Sequence, residues 1–204
     1  MTFLELVQQL HYDVGAAGIA PTTLSGMTGE ALNLKNWVIR ADEMVQNLWH
    51  NWNFLRAEFA VNTTPSLSTV SSPANLNRWD YPTFMMAEVA GTIYDPVSTV
   101  EYQAVRHEFL STATADEATP SRVIVMPDNV LRFDPVPDGI YPFKADYFKT
   151  PTLLAEDTDV SAIPVEFHYP VIVGRAMMFY ANHENAAEIE KQANELYGQM
   201  FPRM

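Results

Sequence analysis

The chain has 204 residues, with 25 acidic against 12 basic side chains and a net charge of −13. That balance, with no basic cluster, excludes a protein that grips duplex nucleic acid through Lys and Arg on phosphates. Cysteine is absent, so disulfides and thiolate metal sites are excluded as well.

The length suits one ordinary domain, whose folding buries about 70% of the unfolded surface. The N-terminus lacks a basic stretch followed by an apolar run, so no signal peptide is expected. No apolar run reaches the roughly 18 residues of a spanning helix. A soluble protein made in the cytoplasm, with no membrane partner, is the expectation.

Thr2 to Val14 is predicted as a short helix: Thr2 and Glu5 have capping-box spacing, and Phe3, Leu6, Val7 and Leu10 share one face. Gly15 and Gly18 end it. A turn-rich connection from Gly18 to Gly29 leads into the longest apolar periodicity, Gly29 to Trp52. Leu34, Trp37, Val38, Ala41, Met44, Val45, Leu48, Trp49 and Trp52 fall at helical spacing, with Thr28 as the N-cap. Asn33, Lys35, Asn36, Arg40, Asp42, Glu43, Gln46 and Asn47 form its polar back. Trp37 and, at its end, Trp49 and Trp52 point to heavy packing there.

Phe54 to Val61 alternates and reads as a strand. The Ser/Thr/Pro/Asn-rich segment Asn62 to Asn77 exceeds a simple connection and reads as a projecting arm. Arg78 to Val97 is open between strand and irregular structure. Ser98 and Glu101 have capping-box spacing ahead of a short helix, Val100 to Leu110, and Ser111 to Pro120 is a polar loop. Arg122 to Met126, Val130 to Phe133 and Ile140 to Lys149 form a three-stranded meander, joined by Pro127-Asp128-Asn129 and by Pro137-Asp138-Gly139. One apolar face of this meander is expected to lie on the helices. Thr150 to Pro164 is an acidic connection. Pro170 suits a first helical turn leading to about Asn182, and Asn185 to Met200 is a last amphipathic helix before the tail Gln199 to Met204.

Residues suited to chemistry do not gather. His11, His50, His107, His168 and His183 lie far apart in sequence, and His183-Glu184 starts an HExxH pattern that Ala187 breaks. Asp134 and Asp138 could be a carboxylate pair, but DPVPDG reads better as strand-end and turn chemistry. Arg106, His107 and Glu108 are consecutive on a helix and diverge. No phosphate-binding loop, dinucleotide fingerprint or nucleophile elbow is present. The expectation is no enzyme, no catalytic, cofactor or metal site, and no cofactor.

The string LRFDPVPDGIYPFKADYFKTPTLL, an acidic loop ending in Ile163-Pro164, and EFHYPVIVGRAMMFYA follow in order. Together they resemble the head-to-tail adaptor (connector) proteins of tailed bacteriophages, of the kind grouped with podovirus tail-tubular and short-tail adaptors. The opening TFLELVQQL, its Gly/Pro-Thr-Thr loop and a long helix ending in WNFL resemble the N-terminal half of that family. Residues 62–99 match least. The resemblance implies a homo-oligomeric, dodecameric ring in the virion neck, joining the portal protein to a tail or nozzle protein and lining the DNA channel. DNA would pass without specific binding, past an acidic lumen.

The expected fold is α+β but mainly helical: a helix bundle with a small antiparallel β meander and extended arm loops. One adaptor domain, 1–204, would comprise a helical hairpin (1–53), a strand plus projecting arm (54–110), the β meander (111–150) and C-terminal helices with the tail (165–204). Tyr197, Met200, Phe201, Pro202, Arg203 and Met204 are the expected portal-docking residues. Thr64, Pro65, Leu67, Val70 and Pro73 are expected to contact a neighbouring subunit or the tail. Two alternatives stay open: a tail-completion or neck protein one layer below, or a soluble ligand-binding module.

Overall fold

The structure, a computed structural model, describes residues 1–49, 51–87, 93–111 and 116–203. His50, Met204 and parts of the 78–97 and 111–120 segments lie outside them, as does the Arg203 side chain. In chain order the elements are α1 (Phe3–Asp13), α2 (Gly29–Leu48), β1 (Arg56–Asn62), β2 (Thr69–Val70), β3 (Leu76–Ala87), β4 (Tyr94–Pro96), β5 (Ser98–Glu101), α3 (Tyr102–Ser111) and β6 (Glu117–Ala118). They continue with β7 (Arg122–Val125), β8 (Leu131–Asp134), β9 (Val136–Pro137), β10 (Pro142–Lys149), α4 (Val165–Phe167), a π-helical stretch (His168–Val173), α5 (Gly174–Glu184) and α6 (Ala187–Met200). Two compact units result: residues 1–55 with 151–204, and residues 56–150.

The first unit is helical. Thr2 caps α1 through the full capping box, its Oγ1 accepting from Glu5 N while Glu5 Oε2 accepts from Thr2 N. Phe3, Leu6, Val7 and Leu10 are wholly buried, as the spacing predicts. The acidic connection completes that cap, because Phe3 N and Leu4 N donate to the carbonyls of Asp159 and Asp157. Two of the orphan donors of a helix N-terminus are thereby satisfied. Leu34, Val38, Ala41 and Val45 of α2 meet Val171, Ile172, Val173, Ala176 and Met177 in one core.

Thr28 is the N-cap of α2, as expected, in an extended conformation, although its side chain makes no cap hydrogen bond. Two readings of this unit need correction. Helix α2 stops at Leu48, four residues before Trp52, and its C-terminal end is the open end, with Leu48 and Trp49 about half exposed. Pro170 lies within the π-helical stretch and not in a first turn, since the helix already begins at Val165.

The second unit overturns the mainly helical expectation. It carries a four-stranded antiparallel sheet in the order β1-β10-β3-β4, a four-stranded mixed sheet in the order β2-β8-β7-β5, and the two-stranded β6-β9. The chain is α+β, with about 40% helix and 28% strand. The three-stranded meander is also corrected. Strands β7 and β8 pair as expected, but β10 lies between β1 and β3 in the other sheet.

The physical reason is that the apolar alternation of β10 packs face to face. Phe143 meets Phe133 of β8 edge-on at 5.3 Å and Phe84 of β3 at 5.4 Å. One core therefore joins the two large sheets: Trp79, Phe84 and Met86 of β3, Val123 of β7, Leu131 and Phe133 of β8, and Tyr141, Phe143, Ala145 and Tyr147. The ambiguous segment 78–97 contributes β3, the longest strand described. Ser98 and Glu101, read as a capping box, are strand residues paired in parallel with β7.

The arm does not project. Thr64-Pro65-Ser66-Leu67 closes a turn through Leu67 N to Thr64 O at 3.1 Å, with Ser66 at φ 63°. Pro at the second position and a positive φ at the third are the marks of a type II turn. Ser66 N donates to Pro137 O, Phe133 N to Ser68 O, and Thr150 N to Asn75 O, so the segment is stitched to its own unit at several points. β2 completes this by pairing Thr69 and Val70 with Arg132 and Leu131.

Candidate interaction surface

At the open end of α2 the chain turns through Trp49 and returns by Asn53–Leu55, a single 3₁₀ turn. The indole Nε1 of Trp52 donates to Val45 O at 3.1 Å, covering one of the four carbonyls that a helix C-terminus leaves unpaired. That bond fixes the Trp52 ring, and others stack on it. Trp52 lies over Phe54 at 5.4 Å and 21°, and tilts against Trp49 at 6.0 Å. Phe201 meets it edge-on at 6.3 Å, and Tyr197 stacks on Phe201 at 4.9 Å and 13°. The ladder of rings borders an open groove of about 380 Å³, lined by Trp49, Asn51, Trp52, Asn53, Phe54 and Pro164. Trp49 is 57% exposed on its rim. Exposed tryptophan beside polar Asn is the composition of a recognition surface more than of an unfinished core.

The expected portal-docking residues divide here. Tyr197, Met200 and Phe201 are half-buried against the helical core, so they are packed and not a free plug. Pro202 is exposed. Arg175 reinforces this packing, its guanidinium lying 5.8 Å from the Tyr197 ring and 5.3 Å from that of Phe179. The arm residues belong to the other unit. Leu67, at 49% exposed, is the prominent apolar side chain at its turn, and Val70 is engaged in β2.

Asp42, assigned to the polar back of α2, is 1% exposed. Its carboxylate accepts from Ser161 Oγ and from Gln46 Nε2 at 2.8 Å, while Ser161 Oγ also accepts from Ile163 N. Burial raises its pKa to about 6, against the opposing pull of the Ser161 and Gln46 bonds. His168 is wholly buried, bonded at Nε2 to Ile163 O and at Nδ1 to the Met1 amine. Burial is the main cause that lowers its pKa. This network clamps the 155–164 connection onto the helices, and it offers no open face to a substrate.

The remaining candidates for chemistry are dispersed. Asp134 is engaged by Arg122, and Asp138 accepts from Tyr141 Oη at 2.6 Å, which makes the DPVPDG carboxylates structural. His183 is exposed beside Glu184 and 5.4 Å from the Trp37 ring. His11 is buried on α1, and His107 is exposed on α3. Among the described residues no three His, Asp or Glu side chains could share a metal ion, and no helix is long and apolar enough to cross a membrane.

The family model described as SU10 adaptor protein matches residues 1–204, the whole chain. No curated protein matches it. The family is one of phage structural adaptors and not of enzymes, and an adaptor implies contacts with other phage head and tail proteins. The chain belongs to the SU10 adaptor protein family.

Proposed function

We propose that this chain builds the head-to-tail adaptor ring of the virion neck, joining the portal to the tail and lining the channel through which DNA leaves. The adaptor-family match over the full length carries the reading. Two features support it. The net charge of −13 makes a lumen of this protein repel phosphate and leave DNA mobile. The groove from Trp49 to Phe54 offers rigid aromatic anchors for a segment of the portal, with Tyr197 and Phe201 holding those anchors from behind. The podovirus short-tail type of adaptor, a dodecameric copy number, and a tail or nozzle protein beneath the ring belong to the same proposal. So does the role of Thr64, Pro65, Leu67 and Pro73 as a contact to the tail or to a neighbouring subunit.

Trp49→Ala tests the groove. Because Trp49 is largely exposed, its loss should change folding stability by no more than about 0.5 kcal/mol. Loss of a buried aromatic anchor from an interface costs about 2 kcal/mol or more, so affinity for the portal ring should fall by about thirtyfold. Surface plasmon resonance on immobilised portal, with a thermal melt as control, reads both. Undiminished binding by Trp49→Ala would place the portal contact elsewhere.

A further inference from the structure

Among the described residues, strand β1 is an edge. It pairs with β10 through seven consecutive residues, Arg56 to Asn62, with no register shift, and it ends the sheet order. Thr63 N donates to Tyr141 O, continuing the same register, so the odd-numbered residues of β1 turn their backbone groups toward β10. Asp146 N donates in the opposite direction, to Thr83 Oγ1 of β3, which fixes the same alternation from the far side of β10. Arg56, Glu58, Ala60 and Asn62 therefore point their N–H and C=O groups outward, and these side chains are exposed. Edge strands are ordinarily blunted by Pro, Lys, a bulge or short length, because a bare edge templates further pairing. β2 and β4 are two and three residues long, and β4 carries Pro96. β1 has no Pro, Lys, bulge or short length; its charged edge residues, Arg56 and Glu58, are ion-paired to Asp80, Asp146 and Lys144 of its own sheet.

We propose that β1 is a dimerisation edge, occupied in solution by β1 of a second copy in antiparallel register about a two-fold axis at Phe59. Only that register pairs all four outward residues of RAEFAVN while opposing no like charges. Outward groups must face outward groups, so even residues oppose even residues. With Phe59 on the axis, Arg56 opposes Asn62 and Glu58 opposes Ala60, and every outward donor and acceptor is paired. Ala57 opposes Val61 on the apolar face, and Phe59 meets its own copy. No like charges face each other. Moving the axis to Glu58 sets two carboxylates opposite one another, which destabilises a sheet, and moving it to Ala60 leaves Arg56 unpaired. A two-fold contact closes on itself, so it caps the edge and stops open-ended strand addition. The inference is independent of the adaptor reading, since a ring's head-to-tail contacts use different surfaces on each subunit.

Sedimentation equilibrium of the full chain across micromolar to millimolar concentration tests it. Wild type should show a reversible monomer–dimer equilibrium. Ala60→Pro removes only an outward N–H, a change an edge strand tolerates, and by symmetry it acts twice, so association should weaken about tenfold or more. Ala60→Glu, opposite Glu58 of the other copy, should also weaken it, whereas Ala60→Lys should tighten it. A strictly monomeric wild type, a dimer indifferent to Ala60→Pro, or Glu and Lys shifting the equilibrium in the same direction would each overturn the proposal.

Discussion

Trp79→Ala should lower the stability of the β unit by about 3–5 kcal/mol, the range for truncating a fully buried Trp or Phe. Trp79 is 2% exposed and meets Phe59, Phe84 and Tyr147 at 5.4 to 5.9 Å, edge to face. Its Nε1 also donates to Asn129 O at 3.2 Å, in the turn between β7 and β8. It thus ties three strands of one sheet to the hairpin of the other. Truncation opens a cavity and removes the hydrogen bond to the Asn129 carbonyl, both costs with the same sign. Urea denaturation followed by near-ultraviolet circular dichroism measures it. A loss under 1 kcal/mol would mean that the two sheets do not share this core.

Asp42→Asn should stabilise the protein at pH 8, by up to about 3 kcal/mol. In the folded state the Asp42 pKa is raised from 3.8 to about 6, so the native protein binds a proton that the unfolded chain releases. Stability contributed by this site is therefore greatest below about 4 and falls as pH rises toward about 6, above which the full penalty of the buried charge applies. A rise of that size corresponds to about 3 kcal/mol between the two protonation states.

The local chemistry agrees. A carboxylate can only accept, so Gln46 turns its amide N–H toward Asp42 and leaves its own Oε1 buried without a partner. Asparagine can accept from Ser161 and donate to Gln46. Chemical denaturation should show the variant's advantage fading from pH 8 through about half at pH 5 to little at about pH 3.5. A variant less stable than wild type at pH 8 would mean that the ionised carboxylate is itself required to hold Ser161.

What could be read from the sequence was local. The capping box of Thr2 and Glu5, the buried face of α1 and the core positions Leu34, Val38, Ala41 and Val45 all depend on neighbours within a few residues. Asp42 was misassigned because its partner, Ser161, is 119 positions away, and helical spacing cannot see it. β10 was misplaced for a related reason. Its alternation correctly marks Phe143, Ala145 and Tyr147 as one face, but the same pattern serves a strand beside β8 or one stacked across from it. Ser98 and Glu101 show the converse error, a local motif overridden by parallel pairing with β7. The arm's composition suggested freedom, yet its backbone groups had partners in β8 and β9 that composition does not encode. As for the aromatic groove, the Trp pair at 49 and 52 was visible. Its exposure was not, because that depends on where α2 ends.

Mass reads assembly on a phage partner most directly. The purified chain alone should weigh as monomer and dimer, with no ring. Mixed with its portal, it should give a single heavier complex carrying many copies of the chain, from which Trp49→Ala is depleted. A chain that ignores the portal at micromolar concentration, and joins tail components instead, would contradict the portal-to-tail placement and move it one layer down.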